Sequence, residues 1–277
     1  MTLLTRDDYA AFPYFPADHR LHYGAQSDQF GDLYLPQGAG PHPVAVLLHG
    51  GCWRQRFGLE PMSSLCEAIR QEGFAVWNLE YRRLEGAGGW PMTFQDVAAG
   101  ADFLRSLSEQ FDLDLGRAVV AGHSAGGHLA LWLACRGNIP EASELYAPEP
   151  LEFHGVLSLA GVEDLAEGVR RDICFGACAQ LVGGPPEEVP ERYSQASPLE
   201  LMPIRIPHSH LVGEEDPIVP ADYVATCVER SRNLPLPEGS LPNIRLETVP
   251  NAGHFEVVAP HSSTWPLIRE MLLELMP

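Results

Sequence analysis

The sequence predicts an α/β fold, a mostly parallel central sheet with helices on both faces. Three observations predict it. Short continuous apolar runs alternate with helical stretches along most of the chain, the pattern of strands buried on both sides. Gly122-His123-Ser124-Ala125-Gly126 lies directly behind the apolar run Ala118-Val119-Val120-Ala121. His49-Gly50-Gly51-Cys52-Trp53 closes another such run, Val44-Ala45-Val46-Leu47-Leu48.

In chain order, residues 1–18 are rich in Asp, Pro and aromatics and read as an irregular arm. His19–Tyr23 and Gln29–Leu35 alternate in polarity and read as an antiparallel hairpin that opens the sheet. Strand Val44–Leu48, helix Pro61–Glu72, strand Ala75–Glu80 and helix Phe94–Glu109 follow. Strand Ala118–Ala121, helix Gly127–Arg136 and strand Gly155–Leu159 continue the alternation. It breaks between Val162 and Leu201, a stretch holding Gly183-Gly184-Pro185-Pro186-Glu187-Glu188 and Pro190. We read this stretch as a helical lid over the cleft, within one domain of 277 residues. A solvated connector is the alternative. Order resumes with strand Ile206–Val212, helix Pro220–Asn233, strand Ile244–Thr248 and a closing helix Thr264–Leu275. Right-handed crossovers then set the loops that follow the parallel strands along one carboxyl edge.

A Gly-x-Ser-x-Gly pentapeptide between a buried strand and a helix reads as a nucleophile elbow. The serine needs a tight, strained turn, and side chains two residues to either side would collide with the strand and helix. The helix behind it aims N-terminal N–H groups at the same point. A His-Gly-Gly loop after a strand lets backbone approach an attacked carbonyl, whose oxyanion needs preorganised donors. The donors expected are the N–H groups of Gly51, Cys52 and Ala125. The competing reading of the loop is a tight turn in which glycine supplies positive φ.

Composition narrows the chemistry. With 45% hydrophobic and 20% charged residues, the chain reads as an ordinary globule. No run approaches the roughly 20 apolar residues of a bilayer span. The first residues are acidic and lack the apolar core of a secretory signal, so a cytoplasmic location is expected. Net charge is −19, and all 18 basic residues are arginine. Without lysine there is no Schiff base, Walker A loop or Ser-Lys dyad. The acidic balance disfavours nucleic acid and anionic membrane as partners. The six cysteines, Cys52, Cys66, Cys135, Cys174, Cys178 and Cys227, are scattered and expected to be free thiols. Cys174 and Cys178 stand four apart and read as core or lid thiols. His208-Ser209-His210 has ligand-like spacing, but the run reads as core strand, and no metal or cofactor is expected.

These segments resemble the α/β-hydrolase family, in the branch of hormone-sensitive-lipase-like carboxylesterases and kynurenine formamidases. The resemblance runs from about Tyr23 to the C-terminus. Besides the two glycine motifs it rests on Asp28–Pro36, Asn78-Leu79-Glu80-Tyr81-Arg82-Arg83, Ala196-Ser197-Pro198-Leu199, Asp216-Pro217-Ile218-Val219-Pro220 and Gly253-His254-Phe255. One departure is Cys52, where lipase-like members often carry a third glycine. The implied fold is an α/β-hydrolase fold with a short helical lid, and the implied triad runs Ser, acid, His in chain order.

A serine hydroxyl is a poor nucleophile until a base takes its proton and an acid orients that base. Of eleven histidines, His254 lies in a turn after the last strand and before the closing helix, where the base would reach the elbow. Composition leaves Glu214, Glu215 and Asp216 open as the acid. The Asp-Pro-Ile-Val-Pro string resembles the family's acid loop and points to Asp216. His123 and His128 read as orienting or packing residues. Trp53, Trp90 and Phe255 are candidates for the substrate pocket, with plain core packing as the alternative. The resemblance implies a structural ion pair from Glu80-Tyr81-Arg82 that supports the His49 loop.

The expected activity is hydrolysis of carboxylic esters with small to medium acyl groups, through an acyl-enzyme on Ser124. An arylformamidase acting on N-formylkynurenine-type formamides is the alternative. An acylaminoacyl-peptidase-like enzyme or a noncatalytic hydrolase-fold protein ranks below both. The expected partner is a small ester or amide, with neither nucleic acid nor membrane. A homodimer remains open.

Overall fold

The computed structural model describes residues 2–235 and 243–276. Eight strands form one sheet in the order β1-β2-β4-β3-β5-β6-β7-β8. They are β1 (His19–His22), β2 (Phe30–Tyr34), β3 (His42–Leu48), β4 (Ala75–Leu79), β5 (Leu113–His123), β6 (Gly155–Leu159), β7 (His208–Gly213) and β8 (Ile244–Val249). The first two strands form the expected hairpin, and β2 pairs antiparallel with β4. All remaining pairs are parallel. Every residue of β4 and β6 is buried, as is Val44–Leu48 of β3, which explains their uninterrupted apolar runs.

The helices are α1 (Arg6–Ala10), α2 (Ser63–Gln71), α3 (Met92–Asp102), α4 (Leu104–Phe111), α5 (Ala125–Ala134), α6 (Leu165–Arg170), α7 (Ala177–Val182), α8 (Pro190–Ala196), α9 (Pro198–Leu201), α10 (Ala221–Arg232) and α11 (Trp265–Glu274). Three differ from expectation. The helix expected over Phe94–Glu109 is divided at Phe103 into α3 and α4, and Phe103 itself keeps helical backbone angles. The arm is not wholly irregular. Thr5 accepts the Asp8 N–H at 3.2 Å and the Asp8 carboxylate accepts the Thr5 N–H at 2.8 Å, a capping box that starts α1. Helix α5 begins at Ala125, immediately after Ser124, rather than at Gly127.

Residues between β6 and β7 carry α6 to α9. Leu165, Cys174, Cys178, Leu181, Tyr193 and Leu199 are buried there, so the segment is packed against the body and is not a solvated connector. Two indole and imidazole bonds fasten it to α5. His128 Nε2 donates to the Ala196 carbonyl at 2.9 Å, and Trp132 Nε1 donates to the Gln195 carbonyl at 2.9 Å. No helix among the described residues is long and apolar enough to cross a membrane.

The chain leaves β3 for β4 on one side, then returns past β3 to β5 on the other. That reversal is a topological switch point, where the loops following β3 and β5 diverge and open a crevice at the carboxyl edge. The register pairs Leu48 with Gly122, so His49, which starts the loop after β3, lies beside His123, the last residue of β5.

Candidate active site

The elbow is built by exclusion of side chains. A methyl group on Gly122 would meet the Gly126 carbonyl, and one on Gly126 would meet the Leu48 carbonyl. Strand β5 and helix α5 can therefore fold against each other, and against β3, only with glycine at both positions. Between them Ser124 is held at φ +56° and ψ −120°, a conformation L-residues rarely adopt. Its own N–H donates to the Leu159 carbonyl of β6 at 2.8 Å, which locks the turn to the neighbouring strand.

The loop after β3 closes over this turn. Gly51 has φ +114°, Cys52 φ +52° and Trp53 φ +53°, so three consecutive residues are left-handed. A methyl on Gly50 would come 3.0 Å from the Ser124 Cβ, which measures how closely the two loops approach. Among the described residues, the N–H groups of Gly51, Cys52 and Ala125 donate to no protein acceptor. Three unsatisfied donors beside one strained serine form an arrangement suited to a developing oxyanion.

The loop rests on a buried polar scaffold. His49 reaches Glu80 Oε1 through Nε2 at 2.8 Å and the Gly50 carbonyl through Nδ1 at 2.8 Å. The Tyr81 hydroxyl donates to the His49 carbonyl at 2.8 Å while its ring stacks on the imidazole. Burial disfavours the Glu80 carboxylate, but His49, Arg83 and the Tyr81 N–H outweigh it and hold its pKa below the ordinary value. The supporting cation is Arg83, whose Nη1 lies 2.7 Å from Glu80 Oε1. Arg82, expected in that role, turns instead to Asp96, with Nε 2.7 Å and Nη2 2.6 Å from the carboxylate oxygens.

The candidate acid and base lie together at the carboxyl edge. Asp216 follows β7, and its Oδ1 accepts the N–H groups of Ile218 and Val219 at 2.8 Å each. Its Oδ2 accepts from His254 Nδ1 at 2.6 Å. With Nδ1 committed to the carboxylate, Nε2 carries the lone pair. Glu214 and Glu215 are exposed, whereas Asp216 is 6% exposed, so the structure separates the three adjacent carboxylates.

His123 links base to elbow. Its Nε2 donates to the His254 carbonyl at 2.9 Å, and the two rings lie 4.6 Å apart. Burial and the neighbouring His254 push its pKa well below the usual histidine value. No hydrogen bond joins Ser124 Oγ to His254 among the described residues; in unliganded sites this contact is often long and tightens on substrate binding.

The arm was not expected at the site. Glu256 accepts the Gly253 N–H at 2.9 Å through Oε2 and the Leu4 N–H at 2.5 Å through Oε1. The Tyr9 ring stacks on Phe255 at 5.3 Å and lies 5.9 Å from His123. No motif marks these residues; only the capping box at Thr5 signals that the arm has structure.

The three aromatic candidates separate. Phe255 stands edge-on to His254 at 5.2 Å and is the one beside the base. Trp53 is fully buried, edge-on to His128 at 5.2 Å, and packs in the core. Trp90 stands over Phe94, with its Nε1 donating to Glu144 at 2.8 Å. On the far side of β7, His208 and His210 bond to one another at 2.7 Å, and His210 Nδ1 lies 2.5 Å from Glu163 Oε1. This is a buried polar chain that joins the strand to the helical segment; Glu214 and Glu215 take no part in it.

Known proteins resemble this chain. The chain is 24% identical over 242 residues to esterase LipC of Mycobacterium tuberculosis, covering 85% of this chain and 59% of LipC. Esterase LipQ of the same organism is 23% identical, with 89% of this chain and 61% of LipQ covered. The chain thus spans about three fifths of the length of these relatives. Among solved structures, esterase B from Lactobacillus rhamnosus superposes with a TM-score of 0.78 at 21% identity, covering 97% of this chain and 89% of that one. A truncated carbohydrate esterase from gut microbiota gives 0.77 at 19% identity, with 95% of each chain covered. These likenesses show the α/β-hydrolase fold. The profile of the BD-FAE family matches residues 31–229, a span that includes the His49 loop, the Ser124 elbow and Asp216. On that match, the chain belongs to the BD-FAE family.

Proposed function

We propose that this protein is a serine carboxylic-ester hydrolase that forms an acyl-enzyme on Ser124. The observation that carries the proposal is the Asp216–His254 bond of 2.6 Å, set beside a serine strained to φ +56°. Ser124 attacks the ester carbonyl and His254 Nε2 takes its proton. The oxyanion rests on the N–H groups of Gly51, Cys52 and Ala125. His254 then protonates the departing alcohol, and water repeats the sequence on the acyl-enzyme. Asp216 holds the imidazole in the Nδ1–H tautomer and stabilises its cation without taking the proton. The esterase names of the relatives support an ester over a formamide.

Ser124→Ala tests this directly. It is expected to lower turnover of p-nitrophenyl acetate by about 10^3-fold or more and to abolish labelling by a fluorophosphonate. Near-normal activity in the variant would sink the mechanism. Rates on p-nitrophenyl esters of graded chain length, set against N-formylkynurenine, separate ester from formamide hydrolysis. Faster turnover of the formamide would reassign the substrate class.

A further inference from the structure

We propose that Cys52 and Cys174 form an oxidisable dithiol, in which a hydroperoxide closes a disulfide between the oxyanion loop and the helical segment that packs beside it. The oxyanion role of Cys52 rests on the function proposed above; the pairing of the two thiols does not.

The loop that carries Cys52 and the turn that carries Cys174 meet across a gap. Cys52 is partly exposed and Cys174 buried, both are free thiols, and each shifts the other's pKa, Cys52 down and Cys174 up. Each sits on left-handed backbone, Cys52 at φ +52° and Cys174 at φ +61°. Arg54 fastens the same gap. Its guanidinium donates to the Phe175 carbonyl and to Gln180 Oε1, each at 3.3 Å. Cys178, four residues on, is turned elsewhere, with its Sγ donating to the Ile173 carbonyl at 3.4 Å.

The chemistry favours Cys52 as the attacked sulfur. The Cys174 S–H beside it holds its pKa below the ordinary thiol value, against the opposing effect of burial and with help from Arg54 and Arg56. A lowered thiol near cations, partly open to solvent and next to a resolving thiol, is the pattern of a peroxide-sensitive cysteine. The Cys52 thiolate attacks the peroxide, giving sulfenic acid and releasing hydroxide. The Cys174 thiol then displaces water from that sulfenic acid, and the S–S bond forms. Two electrons leave the two sulfurs and reduce the peroxide oxygens to hydroxide and water. The bond draws the sulfurs to about 2.05 Å, which pulls the Cys52 backbone toward the helical segment and turns its N–H away from the carbonyl site.

Trypsin makes the test clean. With arginine as the only basic cleavage site, Cys52 falls alone in residues 21–54, and Cys174 shares residues 172–192 with Cys178. After hydrogen peroxide treatment of the full chain, the two peptides are expected to run as one species lacking two hydrogens. The species should persist in Cys178→Ser and vanish in Cys174→Ser. Turnover of p-nitrophenyl acetate is expected to fall about 10^2-fold, the cost of one oxyanion donor, and to return with dithiothreitol. Cys174→Ser should keep its basal rate through the same exposure. Absence of the linked species in the wild type, linkage through Cys178, or equal peroxide sensitivity in Cys174→Ser would each overturn the proposal. So would a linked species with unchanged turnover. Labelling of Ser124 by a fluorophosphonate in the reduced protein reports separately on the hydrolase reading.

Discussion

His123 Nε2 donates to the carbonyl oxygen of His254 at 2.9 Å, so the residue beside Ser124 carries the backbone of His254. The x of this Gly-x-Ser-x-Gly motif is therefore part of the positioning machinery. Removing the imidazole leaves a buried carbonyl unpaired, at about 1–3 kcal/mol. His123→Ala is expected to lower kcat about tenfold, an effect of roughly 1.4 kcal/mol, with little change in KM. His123→Gln, which keeps an N–H donor, should recover most of the loss. Equal kcat in the two variants would show that the bond does not position the base.

The Glu80 carboxylate underpins the His49 loop from a buried site. Its folded pKa lies below the usual value, so its stabilisation is present above about pH 4.3 and is lost as pH falls through the lowered folded value. Glu80→Gln breaks a buried pair while leaving His49 and Arg83 in place, and is expected to cost about 3 kcal/mol at pH 7. Urea unfolding at pH 7 and pH 3 checks this. The gap between wild type and variant should narrow at the lower pH.

His128 contributes with the same sign for a different reason. Burial lowers its pKa to about 4, so the folded protein holds a neutral ring where the unfolded chain binds a proton. Its effect on stability is fully present above about pH 6.5 and is lost as pH falls to about 4, amounting to about 3 kcal/mol. His128→Gln keeps a donor for the Ala196 carbonyl and removes the titration. Its melting temperature should therefore fall less steeply between pH 6.5 and pH 4 than that of the wild type.

Glu256 ties the arm to the base loop through its two oxygens. Glu256→Ala should release both, speeding proteolysis before residue 12 and lowering kcat by about threefold to tenfold, within the range of one or two lost hydrogen bonds. Limited proteolysis alongside steady-state kinetics separates the two effects. An arm that stays protected would place its anchorage in the Tyr9–Phe255 stack instead.

The parts legible in the sequence are those whose physics is local. The elbow announces itself because Gly122 and Gly126 are demanded by backbone contacts within one strand-turn-helix unit. The parallel strands are legible because burial on both faces removes polar residues from the run. Arg83, by contrast, replaces Arg82 because β4 ends at Leu79, after which alternation no longer says which side a residue faces. The approach of the Cys52 loop to the Cys174 turn, seen in the Arg54 bond to the Phe175 carbonyl, joins segments over a hundred residues apart, and spacing could suggest only the local Cys174–Cys178 pair. Among Glu214, Glu215 and Asp216, composition had no preference. The turn geometry decides, because only Asp216 is placed to accept from Ile218 and Val219.

The bond between Leu4 and Glu256 spans 252 residues of chain, and this has a consequence for how the protein is made. During synthesis the elbow and the His49 loop leave the ribosome long before residue 254 does. Until then the arm has nothing to seat on, and Ser124 has no base. On the proposed mechanism, Ser124 in a growing chain is therefore chemically mute until the segments that carry Leu4 and Glu256 meet. Ribosome-bound chains stalled before residue 250 should accordingly fail to take up a fluorophosphonate, whereas released full-length chains should react.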